Sequence, residues 1–350
     1  MRHFLLWTSS WWLLTACIER IPLDESLAGQ PLLVVDGEMS NLNEPYRVQL
    51  SYTSPTLRAY EGEELTGARV YVTDERGGRA DLAETEAGTY ETDSTTFWGR
   101  VGQTYQLHVE APDGRSYVSL PETMPQTAPI DTVYFELESR SRLIESEGET
   151  LLTTWGLQFY LDGGTGASPA GYYRWTYSET YQFTSPLGGP LCYLTTFPTR
   201  LISVASTQDL ARDQVVKQPI NFVDITGRKL QKRYSLLVRQ ASLTERAYRF
   251  WQNVVEQQEN VGSVFDPPPA PIAGNMRNVN DDGEVVLGYF QVAAVTRKRI
   301  FVSRFDVPER TGLRPDGFPD CSSPNGGEVP DYCADCRRLT GATTIPPSFW

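Results

Sequence analysis

Five cysteines carry most of the recognisable chemistry in this 350-residue chain. Cys17 closes the run Leu14-Thr15-Ala16-Cys17. Arg2 supplies a positive start, and Phe4 to Leu14 form a short apolar stretch with Trp7, Trp11 and Trp12. A basic start, an apolar middle and small residues before the cut are the three parts of an export signal. The apolar part falls short of the about 20 residues that a bilayer-spanning helix needs. Ending on cysteine, the pattern fits a bacterial lipobox, in which the thiol is acylated and the preceding peptide removed. Cys17 is therefore the expected lipid-attachment residue, with residues 1–16 as signal peptide. The competing reading is an ordinary signal peptide with an incidental thiol. Several acyl chains hold a protein at a membrane firmly, whereas one holds it marginally. The mature chain is expected to be anchored to a membrane and not to span it.

The other four, Cys192, Cys321, Cys333 and Cys336, form an even set in a chain read as exported. Such a set predicts two disulfides, for which three connectivities exist. Cys333-Ala334-Asp335-Cys336 also has zinc-knuckle or redox spacing. Structural bridges that pin an irregular tail are the favoured reading. A link from Cys192 to the tail closes the longer loop and in the chain-entropy model stabilises more.

Little else could catalyse. Beyond His3 the chain has one histidine, His108, inside an alternating strand. That removes most nucleophilic triads and histidine-rich zinc sites. There is no phosphate-binding loop, dinucleotide fingerprint or nucleophile elbow. Two carboxylates suffice for a glycosidase, but the chain has 44 acidic residues, so their presence selects no pair. Asn278-Val279-Asn280-Asp281-Asp282-Gly283 resembles the start of a calcium loop. Tyr289 stands where the bidentate glutamate belongs, so a solvated turn is preferred. No catalytic residue, metal or cofactor is expected. A net charge of −13 disfavours nucleic acid as a partner, because phosphate binding needs a basic face.

The elements that position these residues read as β-strands. Residues 17–30 form a tether in which Glu19, Asp24 and Glu25 place acid after the anchor. This is read as a surface-export signal or a plain solvated linker. Residues 31–120 hold short β-like runs at Leu32–Val35, Tyr46–Leu50, Ala68–Val72, Thr104–Val109 and Ser116–Leu120. Gly77-Gly78 and Asp113-Gly114 fall between them, the latter favoured in type I′ hairpins. That spacing predicts an immunoglobulin-like β-sandwich. Gly102-Gln103-Thr104-Tyr105 resembles the lead into a tyrosine corner. Pro121 to Pro129 reads as a joint. Residues 130–350 form a second β-rich domain, with a disulfide-stapled C-terminal tail. Its one prominent amphipathic helix lies near 242–260, with Ser242-Leu243-Thr244-Glu245 as capping box. Leu243, Ala247, Phe250, Trp251, Val254 and Val255 recur at helical spacing. The end, Phe349-Trp350, is read as a tail docked on that domain.

Several stretches together resemble a known family. They are Val35-Asp36-Gly37, Gly102-Gln103-Thr104-Tyr105 and Leu243-Thr244-Glu245-Arg246-Ala247-Tyr248-Arg249-Phe250-Trp251. Gly262-Ser263-Val264-Phe265-Asp266-Pro267-Pro268, Gly274-Asn275, Leu287-Gly288-Tyr289-Phe290, the late cysteines and Phe349-Trp350 complete the set. The chain resembles the Bacteroidota lipoprotein family known as domain of unknown function 4249. The resemblance implies an outer-membrane lipoprotein encoded beside TonB-dependent receptors. The expected role is a non-catalytic accessory or ligand-binding partner of such a transporter, facing the cell surface more than the periplasm. The alternatives are an envelope structural protein or adhesin, or a carboxylate-dependent surface glycan hydrolase.

Overall fold

A computed structural model describes residues 31–54, 62–93, 97–145, 149–164, 171–198, 203–210, 212–259, 271–307, 321 and 329–350. Cys17, the signal peptide and the tether lie outside them. Nine strands come first: β1 (Leu33–Ser40), β2 (Arg47–Tyr52), β3 (Glu63–Glu64), β4 (Arg69–Asp74), β5 (Arg79–Glu86), β6 (Thr89–Thr92), β7 (Thr104–Glu110), β8 (Ser116–Ser119) and β9 (Glu122–Thr123). Then follow β10 (Ile130–Glu145), β11 (Glu149–Gly163), β12 (Tyr172–Thr184), β13 (Leu191–Thr196), β14 (Ser203–Ser206), β15 (Val215–Asp224) and β16 (Arg233–Leu243). Helix α1 (Glu245–Glu259), β17 (Met276–Asn278) and β18 (Leu287–Ser303) complete the order. The protein is mainly β, as its alternation predicts. Among the described residues no helix is long and apolar enough to cross a membrane.

Alternate side chains of a strand face opposite ways, and β7 shows why the N-terminal runs fold as they do. Tyr105, Leu107 and Val109 are buried, while the residues between them are half-exposed. With Val35, Val48, Leu50, Val70 and Val72 they build the first core. The strands form one hydrogen-bonded path, β18-β1-β2-β6-β5-β4-β7-β8-β17. The path does not separate into two sheets, and its pairing does not confirm an immunoglobulin-like sandwich. Instead its two ends meet. Asn275, just before β17, accepts from the Phe290 N–H at 2.9 Å and donates to the Phe290 carbonyl at 2.8 Å. One side chain thus imitates a rung of strand pairing and brings β17 to β18.

β18 belongs to both halves of the molecule. Leu287–Ala293 pair in parallel with Val34–Ser40 of β1, and Ala294–Ser303 pair antiparallel with Arg233–Ser242 of β16. The second core lies between β12-β16-β18 and a separate sheet, β10-β11-β15. Leu157, Phe159 and Leu161 of β11 pack there against Trp175, Tyr177, Tyr234, Leu236 and Val238. Trp175 satisfies its indole N–H by donating to Gln240 at 2.9 Å, as a buried indole must. α1 covers the opposite face of β12-β16-β18 with Ala247, Tyr248, Phe250 and Trp251.

Two local expectations change. Ser242 is not the helix cap, because Ser242 and Leu243 still pair as strand with Tyr173 and Tyr172. Thr244 takes the role, its hydroxyl accepting from the Ala247 N–H at 3.2 Å. The β7–β8 turn is not type I′, since Asp113 keeps a negative φ and Gly114 alone is positive, at 90°. Pro112 fixes the first central φ of an ordinary turn closed by Gly114 N–H to Ala111 O at 3.0 Å. The glycine then supplies the left-handed residue of a bulged hairpin. Tyr105, by contrast, is tied back as the corner motif predicts: its hydroxyl accepts from the Arg100 N–H at 2.8 Å.

Candidate functional site

The tail is held as the cysteine count predicts, and the structure selects the connectivity. Cys192 of β13 bonds Cys336, and Cys321 bonds Cys333. Thr343 extends the sheet by pairing with Tyr193, N–H to O at 2.7 and 2.9 Å. The terminal Trp350 packs edge-on against Tyr193 and Phe301. Arg233 stacks over Trp350 and Arg299 over Phe349, the latter at 3.5 Å. The tail therefore docks on β13 and β18 and covers the free edge of β13.

The most concentrated polar chemistry lies where the two halves join beneath α1. Glu122 of β9 is 2% exposed. Its carboxylate accepts from the Thr244 hydroxyl at 2.6 Å, the Tyr289 hydroxyl at 2.6 Å and Arg246 at 3.2 Å. One segment each from β9, α1 and β18 thus converges on one acid. Burial, reinforced by the Glu122 charge, pushes the Tyr289 phenol well above its usual range. Tyr289 consequently stays a neutral donor. Glu122, Thr244 and Arg246 back an open cleft of ≈ 490 Å³ that Pro121, Thr123, Glu245 and Arg249 also line. Chemically, Glu122 is a hydrogen-bonded clamp whose two oxygens are both occupied by donors of the chain itself.

A second network runs under the same helix. Glu38 of β1 accepts from Arg174 at 2.6 Å, Arg239 at 3.0 Å and Gln291 at 2.9 Å. Arg239 and Arg297 both reach Glu44, at 3.0 and 3.1 Å. Trp251 closes the assembly, donating to Gln291 at 2.7 Å while its ring lies 4.1 Å from the Arg174 guanidinium. Burial lowers the Arg174 pKa and the Glu38 charge opposes that fall. A third acid, Glu179 of β12, is buried between the two layers of the second core. Tyr234 donates to it at 2.8 Å, Asn221 at 3.3 Å, and Lys229 pairs with it. None of Glu122, Glu38 and Glu179 stands out in the sequence, where acids are abundant. Glu122 sits in the segment read as a proline joint. Its one local signal is the Thr104-Tyr105 strand, with which Glu122-Thr123 pairs.

His108 stacks on Tyr71 with ring centroids 4.7 Å apart and meets the Thr73 hydroxyl at 3.0 Å. It is a strand-face residue, and among the described residues no acid lies in hydrogen-bond reach of it. In the Asn278–Gly283 turn, Asn278 pairs with Glu284, and Asp281 accepts from the Gly283 N–H at 2.9 Å. Tyr289 points to Glu122, away from that turn. Among the described residues no group of three or more potential metal ligands occurs.

Residues 18–299 match the family profile described as domain of unknown function 4249. The chain belongs to this family. A search of curated proteins finds no match.

Several of the family-resembling stretches of this domain of unknown function 4249 protein fall on the seam between its two halves. Gly288 has φ 77°, and a Cβ there would lie 2.0 Å from the Val35 carbonyl oxygen. Only glycine fits a left-handed backbone pressed so close to a neighbouring strand. Gly37 faces the Phe290 ring, where a Cβ would stand 3.2 Å away. Asn275 closes the sheet ends, Tyr289 holds Glu122, and Thr244 and Trp251 fix α1 over the join. Gly262 to Pro268 lie outside the described residues. These seam residues thus hold together a scaffold, and the family profile ends at residue 299, before the stapled tail.

Proposed function

We propose that this chain is an outer-membrane lipoprotein, acylated at Cys17, that serves a TonB-dependent transporter as a non-catalytic accessory or ligand-binding partner. The observation that carries the reading is the run Leu14-Thr15-Ala16-Cys17 set directly before the family body. The family match opens at residue 18, one position after the cysteine. Residues 18–32 then reach β1 at Leu33, a tether that spans at most about 50 Å when fully extended. That length keeps the body close to a membrane while leaving it free to meet an integral partner. The outer face of the cell envelope is the side proposed.

The carboxylate clamps at Glu122, Glu38 and Glu179 support a scaffold role, because each is occupied by donors that join separate elements. Three experiments test the reading. Cys17→Ser and wild type are compared by radioactive palmitate labelling of cells; equal labelling sinks the anchor. A tagged protein extracted in mild detergent is expected to bring down a TonB-dependent barrel. Its repeated isolation without one removes the transporter from the proposal. Proteolysis of intact cells then reports the side: cleavage is expected without lysis.

A further inference from the structure

The sheet β10-β11-β15 ends in two edges of different kind. On the β15 side the ladder is interrupted twice, between Phe159 and Tyr160 and between Leu161 and Gly163 of β11. Pro219 brings no N–H to that edge, and Lys217 adopts φ 53°. Bulges and prolines of this sort keep an edge from recruiting another strand. β10 has neither. Its register with β11 is unbroken from Thr132 to Glu145, and it contains no proline or glycine. Lys298 covers its start, donating to the Asp131 carbonyl at 2.6 Å. Beyond that, no strand pairs the outer side of β10 among the described residues.

The charges along this open edge have an order. Glu136, Glu138, Arg140 and Arg142 share one face of β10. Suppose two copies pair antiparallel with Ser139 opposite Ser139. Glu136 then meets Arg142, and Glu138 meets Arg140, each twice. Neighbouring registers fail. Centring on Glu138 or Arg140 opposes a residue to its own like charge. Centring on Leu137 sets Glu136 against Glu138, and centring on Ser141 sets Arg140 against Arg142. A slip by one residue flips side chains to the wrong face. One register therefore sets all four charges opposite their complements, beside the partners that Glu136, Glu138 and Arg140 have in Lys217, Tyr160 and Gln158 of their own chain, and it is the self-complementary register that an isologous twofold contact requires.

The hairpin gives a second, independent reason. Pairing with β15 stops at Gly156, so residues 139–145 and 149–155 stand out as a two-stranded arm of roughly 23 Å. A hairpin unsupported by further strands is marginal in water. This one also exposes Leu151 (62%), Leu152 (39%) and Trp155 (37%). In the Ser139-centred register each arm lies beside the body half of the other copy's β10.

We propose that two copies of this chain associate edge to edge through β10, antiparallel about Ser139, to form one sheet of six strands. The test uses purified residues 18–350 with both disulfides formed, measured by sedimentation and light scattering. Wild type is expected at twice the chain mass. Glu136→Arg/Glu138→Arg makes the edge wholly basic and Arg140→Glu/Arg142→Glu makes it wholly acidic; each alone is expected to be monomeric. Mixing the two is expected to restore the doubled mass, as is the fourfold swap in one chain. Circular dichroism verifies that each variant is folded, and Ser139→Pro provides a second block by removing a donor. A wild type that stays monomeric at its solubility limit overturns the proposal. So does a doubled mass in both charge variants alone, or no association on mixing them.

Discussion

Removing the disulfides one at a time separates two roles for the tail. Cys192 and Cys336 are 144 positions apart in sequence, and Cys321 and Cys333 only 12. In the chain-entropy model the constraint on the unfolded chain grows with the logarithm of loop length. The long closure then contributes about 5 kcal/mol and the short one about 3 kcal/mol at room temperature. Cys192 and Cys336 are both fully buried, against β12, β13 and the tail. Their loss also frees Trp350 and the Thr343 rung from β13. The perturbation is Cys192→Ala/Cys336→Ala against Cys321→Ala/Cys333→Ala, each leaving the other bridge intact. Equilibrium unfolding in urea is the assay, followed by near-ultraviolet circular dichroism to register Trp350. The long-loop variant is expected to lose about 2 kcal/mol more than the short-loop variant, together with the aromatic signal of the docked tail. Four reactive thiols in the unfolded, unreduced wild type refute the pairing. An equal or greater loss in the short-loop variant refutes the entropic reasoning.

Three further outcomes are expected. Gly288→Ala places a Cβ against the Val35 carbonyl and should cost about 4 kcal/mol or more, or yield insoluble protein; a soluble variant with unchanged urea midpoint contradicts the seam. Glu122→Gln keeps shape but removes the charge that Thr244, Tyr289 and Arg246 share, so a loss of about 1–3 kcal/mol is expected, measured by the same unfolding curve. His108 is held below its ordinary pKa of 6.5 by burial and then by Arg79. The unfolded chain therefore binds more protons as pH falls between 6.5 and the folded value, and stability declines through that window. Thermal melts of His108→Gln should lack this acid-side decline, and identical pH profiles for the two proteins contradict it.

Local chemistry was the legible part of this chain. The alternation at Thr104–Val109 reveals a strand because one face is buried, and the hydroxyl of Tyr105 reveals a corner because its partner is five residues away. The even set Cys192, Cys321, Cys333 and Cys336 reveals bridges but leaves three connectivities, since the choice rests on where β13 and the tail meet. Pairing between distant segments leaves no mark of that kind. Nothing near Val34 announces Leu287 as its parallel neighbour. Ser242 carries a perfect local signal for a helix cap, yet it is overruled by strand pairing with Tyr173 and Ala294. Glu122 is invisible for the opposite reason: its three donors come from segments more than 100 residues away, and no spacing rule reaches that far.

The double membership of β18 has a consequence for how the chain is made. β1 leaves any machine that releases the polypeptide from its N-terminus long before its parallel neighbour, Leu287–Ala293, does. Over the whole interval β1 has one edge satisfied by β2 and the other open, and the first core lacks Phe290, Val292 and Ala294. Parallel pairing at such separation is slow to form and exposed to aggregation. The N-terminal half therefore completes its folding only after the C-terminal half has been delivered. A ribosome stall or export arrest before residue 287 leaves a sticky, half-closed sheet, and a holding chaperone matters most at that stage.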